Sequence, residues 1–151
     1  MKKNKIQFFT YKKKESSKKI KINFLEKDFC CDEYIKLIME KAKNSRVLVI
    51  SNSVRRAQLL WKNLQEEVVK QSSDINVGLL HSRLVQFKRD KEETIWIDKY
   101  GKDLQKQKVN CILVGSQVLE QSLDIDSCCL FTDLCPGDIF IQRLGRLWRF
   151  F

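Results

Sequence analysis

The stretch IQRLGRLWRF (141–150) can set two guanidiniums and an amide side by side. On a helix turning about 100° per residue, Gln142, Arg146 and Arg149 fall within about 60° of one another. Ile141, Leu144 and Trp148 gather on the opposite side, where they would anchor the helix in a core. Arginines that face the same way repel unless an anion lies between them, and a phosphate chain suits that gap. Gly145 would cost a helix interior about 1 kcal/mol relative to alanine, so something is expected to approach the backbone there. Two solvated arginines on an amphipathic helix fit the same pattern, and the spacing alone leaves both readings open. Arg143, about 100° from Gln142, is assigned to packing rather than to phosphate chemistry.

A second chemical segment is VGSQVLEQSLDID (114–126). Gly115 and Ser116 follow an apolar run where a helix begins, so their N–H groups are expected to hold a phosphate. Asp124 and Asp126 flank Ile125, which predicts Ile125 inward and both carboxylates in a polar cleft. Two loop acids of this spacing are a weak metal signal. The six cysteines form no C-x-x-C and His81 is the single histidine, so no metal site is expected. The cysteines read as small buried hydrophobes in a reducing compartment.

These residues need a scaffold, and 151 residues suffice for one compact domain. No apolar run approaches the ~20 residues that span a bilayer, and the first residues lack the apolar core of a secretory signal. The expectation is a cytoplasmic protein with no membrane partner. The net charge of +10 is uneven: residues 1–21 hold nine lysines against Glu15. Residues 1–19 show no period and are expected to form a basic arm or linker, with a domain over 20–151. Such an arm could release counterions from nucleic-acid phosphates, although a solvated lysine-rich surface has the same composition.

Alternation predicts a strand at Ile20–Leu25, and apolar spacing predicts a helix over Asp28–Lys43. Continuous apolar runs at Arg46–Ile50, Asn76–Leu80, Val109–Val114 and Cys128–Thr132 read as strands buried on both faces. Helices are expected over Val54–Lys70, capped from Ser51-Asn52-Ser53, over Leu84–Tyr100, and from Asp138 onward. This alternation means an α/β fold, a parallel sheet with helices on both faces. Ligands bind such sheets at the carboxyl ends of the strands, which singles out 51–53, 81–83, 115–124 and 133–138.

Taken in order, SNSVRRAQLLWKNL, LLHSR, ILVGSQVLEQSLDID and IQRLGRLWR resemble the second RecA-like lobe of superfamily-two helicases. The resemblance covers about residues 20–151, with its specific part in 46–149. Within that superfamily, LLHSR, QVLEQSLDID and a last motif beginning at Gln142 are most similar to the CRISPR-associated helicase-nuclease of type I systems. The Q-R-x-G-R-x-x-R pattern falls on Gln142, Arg143, Gly145, Arg146 and Arg149. The resemblance implies that Arg146 and Arg149 reach ATP phosphates as arginine fingers and that Gln142 sits at the lobe interface. It implies that Asp124 contacts the ribose or the inter-lobe cleft. Gly115, Ser116, Ser51, Asn52, His81, Ser82 and Arg83 would contact the backbone of single-stranded DNA, a sequence-independent grip.

No G-x-x-x-x-G-K-[S/T] loop and no D-E-x-[D/H] motif occurs. The resemblance places both in a first lobe, which would supply the phosphate cradle and the Mg²⁺ ligand for ATP. This chain itself is expected to bind no metal, to be inactive alone, and to stop just after its last motif. Its expected partners are that first lobe, a nuclease domain and a CRISPR surveillance complex. Two alternatives stand beside this reading. One is a stand-alone nucleic-acid-binding or regulatory module. The other is the lobe of a DEAD-box-like RNA helicase, which usually has histidine where Gln142 stands.

Overall fold

The computed structural model describes residues 6–11, 20–26, 30–100, 109–121 and 123–147, with 6–11 and 121 described by backbone alone. Eleven elements follow in chain order: β1 (Ile6–Tyr11), β2 (Ile20–Leu25), α1 (Asp32–Ala42), β3 (Arg46–Ile50), α2 (Val54–Lys70), β4 (Asn76–Leu80), α3 (Gln86–Tyr100), β5 (Cys111–Gly115), α4 (Val118–Gln121), β6 (Cys129–Asp133) and α5 (Gly137–Leu144). They build one six-stranded sheet in the order β2-β1-β6-β3-β5-β4. The last four strands of that order run parallel, with Leu48 of β3 opposite both Leu113 and Leu130.

Strand side chains alternate between faces, and both faces are covered, which is why β3, β5 and β6 are buried throughout. Val47, Val49, Ile112, Val114 and Phe131 pack against Tyr34, Ile38, Leu60 and Leu64 of α1 and α2. Leu48, Ile50, Leu113 and Leu130 pack on the other side with Trp96 and Tyr100 of α3 and with Leu119, Ile125 and Leu147. Each such aliphatic side chain contributes about 1.5–3 kcal/mol by leaving water. Gly78 is required at one point in this layer: a Cβ there would lie 2.0 Å from the Trp96 ring. The indole thus rests directly on the backbone of β4.

The α/β prediction with helices on both faces is what the structure has, and β3, α2 and β4 match their predicted spans. The start of the chain differs. Ile6–Tyr11, expected within a basic arm or linker, is a strand between β2 and β6 and antiparallel to both. The sequence IQFFTY is aromatic and β-branched, and flanking lysines concealed that preference. Those lysines lie outside the described residues.

The last helix also differs, because it ends at Leu144 rather than running through the final motif. Gly145 is its cap, and its N–H donates to Ile141 O at 3.0 Å. Two tighter bonds follow, Arg146 N–H to Arg143 O and Leu147 N–H to Leu144 O, both 3.0 Å. Ser127 then holds the chain, donating to Arg146 O from its N–H at 2.9 Å and from Oγ at 3.0 Å. No helix among the described residues is long and apolar enough to cross a membrane.

Candidate functional site

The loops that follow the parallel strands line one edge of the sheet, and backbone bonds sew them together. Ser51 N–H donates to Gly115 O at 2.9 Å, and Ser116 N–H donates to Leu80 O at 3.3 Å. The predicted backbone-contacting segments 51–53, 81–83 and 115–116 are therefore neighbours. Their side chains are not equally available. Asn52, Ser82 and Arg83 are exposed, whereas Ser51, His81, Gly115 and Ser116 are buried.

The expectation that Gly115 and Ser116 N–H groups open a helix toward a phosphate needs correcting. The Ser116 N–H is already bonded to Leu80 O, and α4 starts only at Val118. A Cβ on Gly115 would lie 2.4 Å from Leu80 O and from Leu119 Cδ1, so packing demands the glycine. The Ser116 hydroxyl is buried without a hydrogen-bond partner. His81, 3% exposed, accepts the Arg83 N–H on Nδ1 at 3.2 Å, and its Nε2 stands 3.1 Å from Gln58 Nε2. Burial first, then the charges of Arg83 and Lys88, lower its pKa.

Toward β6 the edge carries a polar cluster centred on Arg143, which is 1% exposed. Its Nε and Nη2 donate to Glu120 Oε1 at 2.8 and 2.6 Å. Nη1 donates to Thr132 Oγ1 at 2.6 Å and to Asp133 O at 3.2 Å. The remaining Nη2 hydrogen goes to Asn52 Oδ1 at 2.9 Å. All five donors of the guanidinium are thereby used. Asn52 is equally committed: its N–H donates to Asp133 Oδ2 at 2.9 Å and its Nδ2 to Leu134 O at 2.7 Å. Arg56 closes the cluster with a two-pronged contact to Asp133, at 3.2 Å from Nε and 2.9 Å from Nη2. Ser53 begins α2 by accepting the Arg56 N–H on its hydroxyl at 3.3 Å.

The final motif is arranged differently from its helical projection. Gln142 is exposed, but Arg146 is 9% exposed and donates to Leu123 O and Glu120 O. The two do not share an outward face, because the helix stops between them. Ile141, expected to anchor the helix, is 70% exposed. Phe140, Arg143 and Leu144 form the inward stripe instead. Trp148 and Arg149 lie outside the described residues. Asp124 is exposed and Ile125 fully buried, as expected, but Asp126 is 1% exposed rather than in a cleft. No cluster of three acids, cysteines or histidines that could hold a metal occurs among the described residues.

The sequence singles out Asn52 and the segments 115–124 and 133–138, which hold Glu120 and Asp133 without giving either acid a role; Arg56 and Thr132 escape it. One signal was available: Arg143 lies three residues after Phe140 and directly before Leu144, within the apolar stripe. A buried arginine there requires an acid, and Glu120 is buried with it.

The cysteines are free; Cys111 and Cys129 are buried, and burial raises the Cys111 thiol to about 11 and Cys30 to about 12. Thiols so shifted stay protonated, which fits their packing role.

Known proteins resemble this chain. The chain is 37% identical over 114 residues to the CRISPR-associated endonuclease/helicase Cas3 of Escherichia coli (strain K12), covering 76% of this chain and 12% of that protein. The crystal structure of T. fusca Cas3-ATP superposes with a TM-score of 0.70 at 28% identity, over 82% of this chain and 14% of that one. A chain in a CRISPR RNA-guided surveillance complex, pre-nicking, does so with a TM-score of 0.58 at 33% identity, over 68% of this chain and 12% of its own. The chain thus spans about an eighth of the length of its relatives. The family model for the C-terminal part of the CRISPR-associated nuclease/helicase Cas3 matches residues 43–150, a span that takes in α2, the strand-end loops and the Arg143 cluster, and this chain belongs to that family as a RecA-like helicase lobe.

Proposed function

We propose that the chain works as the second lobe of an ATP-dependent DNA helicase or translocase of CRISPR interference. The observation that carries this reading is the Arg143 cluster. It fastens the loop after β3, the segment after β5 and the helix α5 to one another at the carboxyl edge of the sheet. In this role Asn52, Ser82 and Arg83 face the backbone of single-stranded DNA, with the buried Ser51, His81, Gly115 and Ser116 shaping the loops beneath them. Gln142 and Asp124, both exposed, face a first lobe and its nucleotide. Arg149 acts as an arginine finger, and Arg146 joins it on releasing Leu123 O and Glu120 O. ATP is bound with Mg²⁺, which neutralises phosphate charge when present. Its ligands are assigned to a first lobe, where the D-E-x-[D/H] motif of such enzymes lies. A nuclease domain, a CRISPR surveillance complex and a cytoplasmic setting complete the proposal.

The test has two arms. The pure chain is expected to release no phosphate from ATP, with or without single-stranded DNA, and to bind that DNA weakly and without sequence preference. The affinity should fall with salt, and replacing Lys12, Lys13, Lys14, Lys18 and Lys19 by glutamine should flatten the slope by about 0.7 for each phosphate no longer neutralised. Substitution keeps β1, which removal of residues 1–19 would delete. Phosphate release by the pure chain, or no DNA binding at any salt, overturns the proposal.

A further inference from the structure

Asn52 is an exposed residue whose N–H and carboxamide are all engaged by protein groups. Its N–H is taken by Asp133, its Nδ2 by Leu134 O and its Oδ1 by Arg143. An exposed asparagine ordinarily leaves its amide to water, because ordering the side chain costs entropy that a surface bond barely repays. Here the three bonds fasten the first turn after β3 to the end of β6 and to α5. The other donors of Arg143 go to Glu120, Thr132 and Asp133, so among the described residues the β3 loop reaches the α5 guanidinium through the Asn52 carboxamide.

We infer that Asn52 is a positioning residue that makes α5 respond when nucleic acid occupies the loop after β3. The inference rests on the function proposed above, and it assigns Asn52 a task other than a simple backbone contact. Displacing the loop by a phosphate must either carry Arg143 along or break the 2.9 Å bond, and the second option leaves a donor of a buried guanidinium unpaired. Displacement of the loop therefore pulls on Arg143 against its four other bonds, to Glu120, Thr132 and Asp133, and reaches α5 through the guanidinium. Gln142, the neighbour of Arg143 on α5, moves with it. By linkage, whatever fixes α5 then also changes the affinity of the loop for DNA.

The test uses the full 151-residue chain labelled for backbone amide NMR, with a short oligodeoxythymidylate as the probe. Each variant is compared at DNA concentrations that saturate it. In the unaltered chain the amides of Asn52 and Ser53 and those of Gln142 to Leu144 should shift together. In Asn52→Ala the α5 shifts should vanish while the signals of Ser53 and Arg83 still respond. Asn52→Asp keeps the acceptor for Arg143 and should restore the α5 response. A merely structural asparagine would lower the melting temperature in both variants without separating the two sets of shifts, and that result overturns the inference. Saturation without any α5 response in the unaltered chain also overturns it and leaves the proposed function standing. An α5 response that survives in Asn52→Ala overturns the role of Asn52. Absence of DNA binding overturns the proposed function, and the inference with it.

Discussion

Arg143 and Asn52 stand 91 residues apart in sequence, yet Nη2 of one lies 2.9 Å from Oδ1 of the other at the carboxyl edge of the sheet. That contact belongs to a cluster that also includes Glu120, Thr132, Asp133 and Arg56. The energetic character of the cluster sets the first expectation. A buried ion pair gains little over an apolar replacement, but removing one partner strands the other in low dielectric.

Arg143→Ala should therefore destabilise the chain by about 3–5 kcal/mol, measured by urea unfolding. Glu120→Gln combined with Arg143→Met should cost less than the sum of the two single changes. Additive costs would show that the two side chains are not energetically coupled.

Gly78→Ala places a methyl where the Trp96 ring already lies, at 2.0 Å. The ring must leave β4, and overpacking of this kind costs about 1–3 kcal/mol or more. In a Trp96→Leu background the added methyl should cost far less. The melting temperatures of the four chains make the cycle, and an unchanged Gly78→Ala chain would contradict the close packing.

His81 gives a pH signature. Its folded pKa is below the ordinary 6.5, so the unfolded chain takes up a proton more readily than the folded one. Stability should be level above about pH 6.5 and should fall as pH drops through that value toward the lower folded pKa. His81→Asn should remove that part of the slope. Urea midpoints between neutral and mildly acid pH test it, and an identical slope in the variant would refute the assignment.

The two arginines of the last motif should separate in a two-lobe enzyme built by joining this chain to a first lobe. Arg149→Ala should lower DNA-stimulated phosphate release by about 10³–10⁵. Arg146→Ala should lower turnover and also the melting temperature, because Arg146 is bonded to Leu123 O and Glu120 O. Full turnover in the Arg149 variant would remove it from the fingers.

The parallel core was legible because burial on both faces writes continuous apolar runs, as at RVLVI and CILV. Ser53 as the cap of α2 was legible for a similarly local reason. The strand IQFFTY was not, since its pairing with β6 lies more than a hundred residues away and its lysine flanks read as solvent. The final motif was misprojected because a 100° rule holds only while the helix lasts. Ser127, 19 residues earlier and outside the helix, holds Arg146 O where that regularity ends. The cluster around Arg143 was hidden because each member is an ordinary polar residue until the fold brings them within 3.2 Å.

Among the described strands β6 is the latest in sequence, and it takes its place between β1, the earliest of them, and β3. Until residues 129–133 emerge from the ribosome, the β1–β2 hairpin has nothing to join it to the β3–β5–β4 sheet. Two unsatisfied strand borders then face solvent, each able to recruit a neighbouring nascent chain. Completion waits on a single insertion event between segments of very different age, which makes assembly slow for a domain of this size. The yield of native protein should depend more on how fast translation delivers β6 than on the stability of the finished sheet.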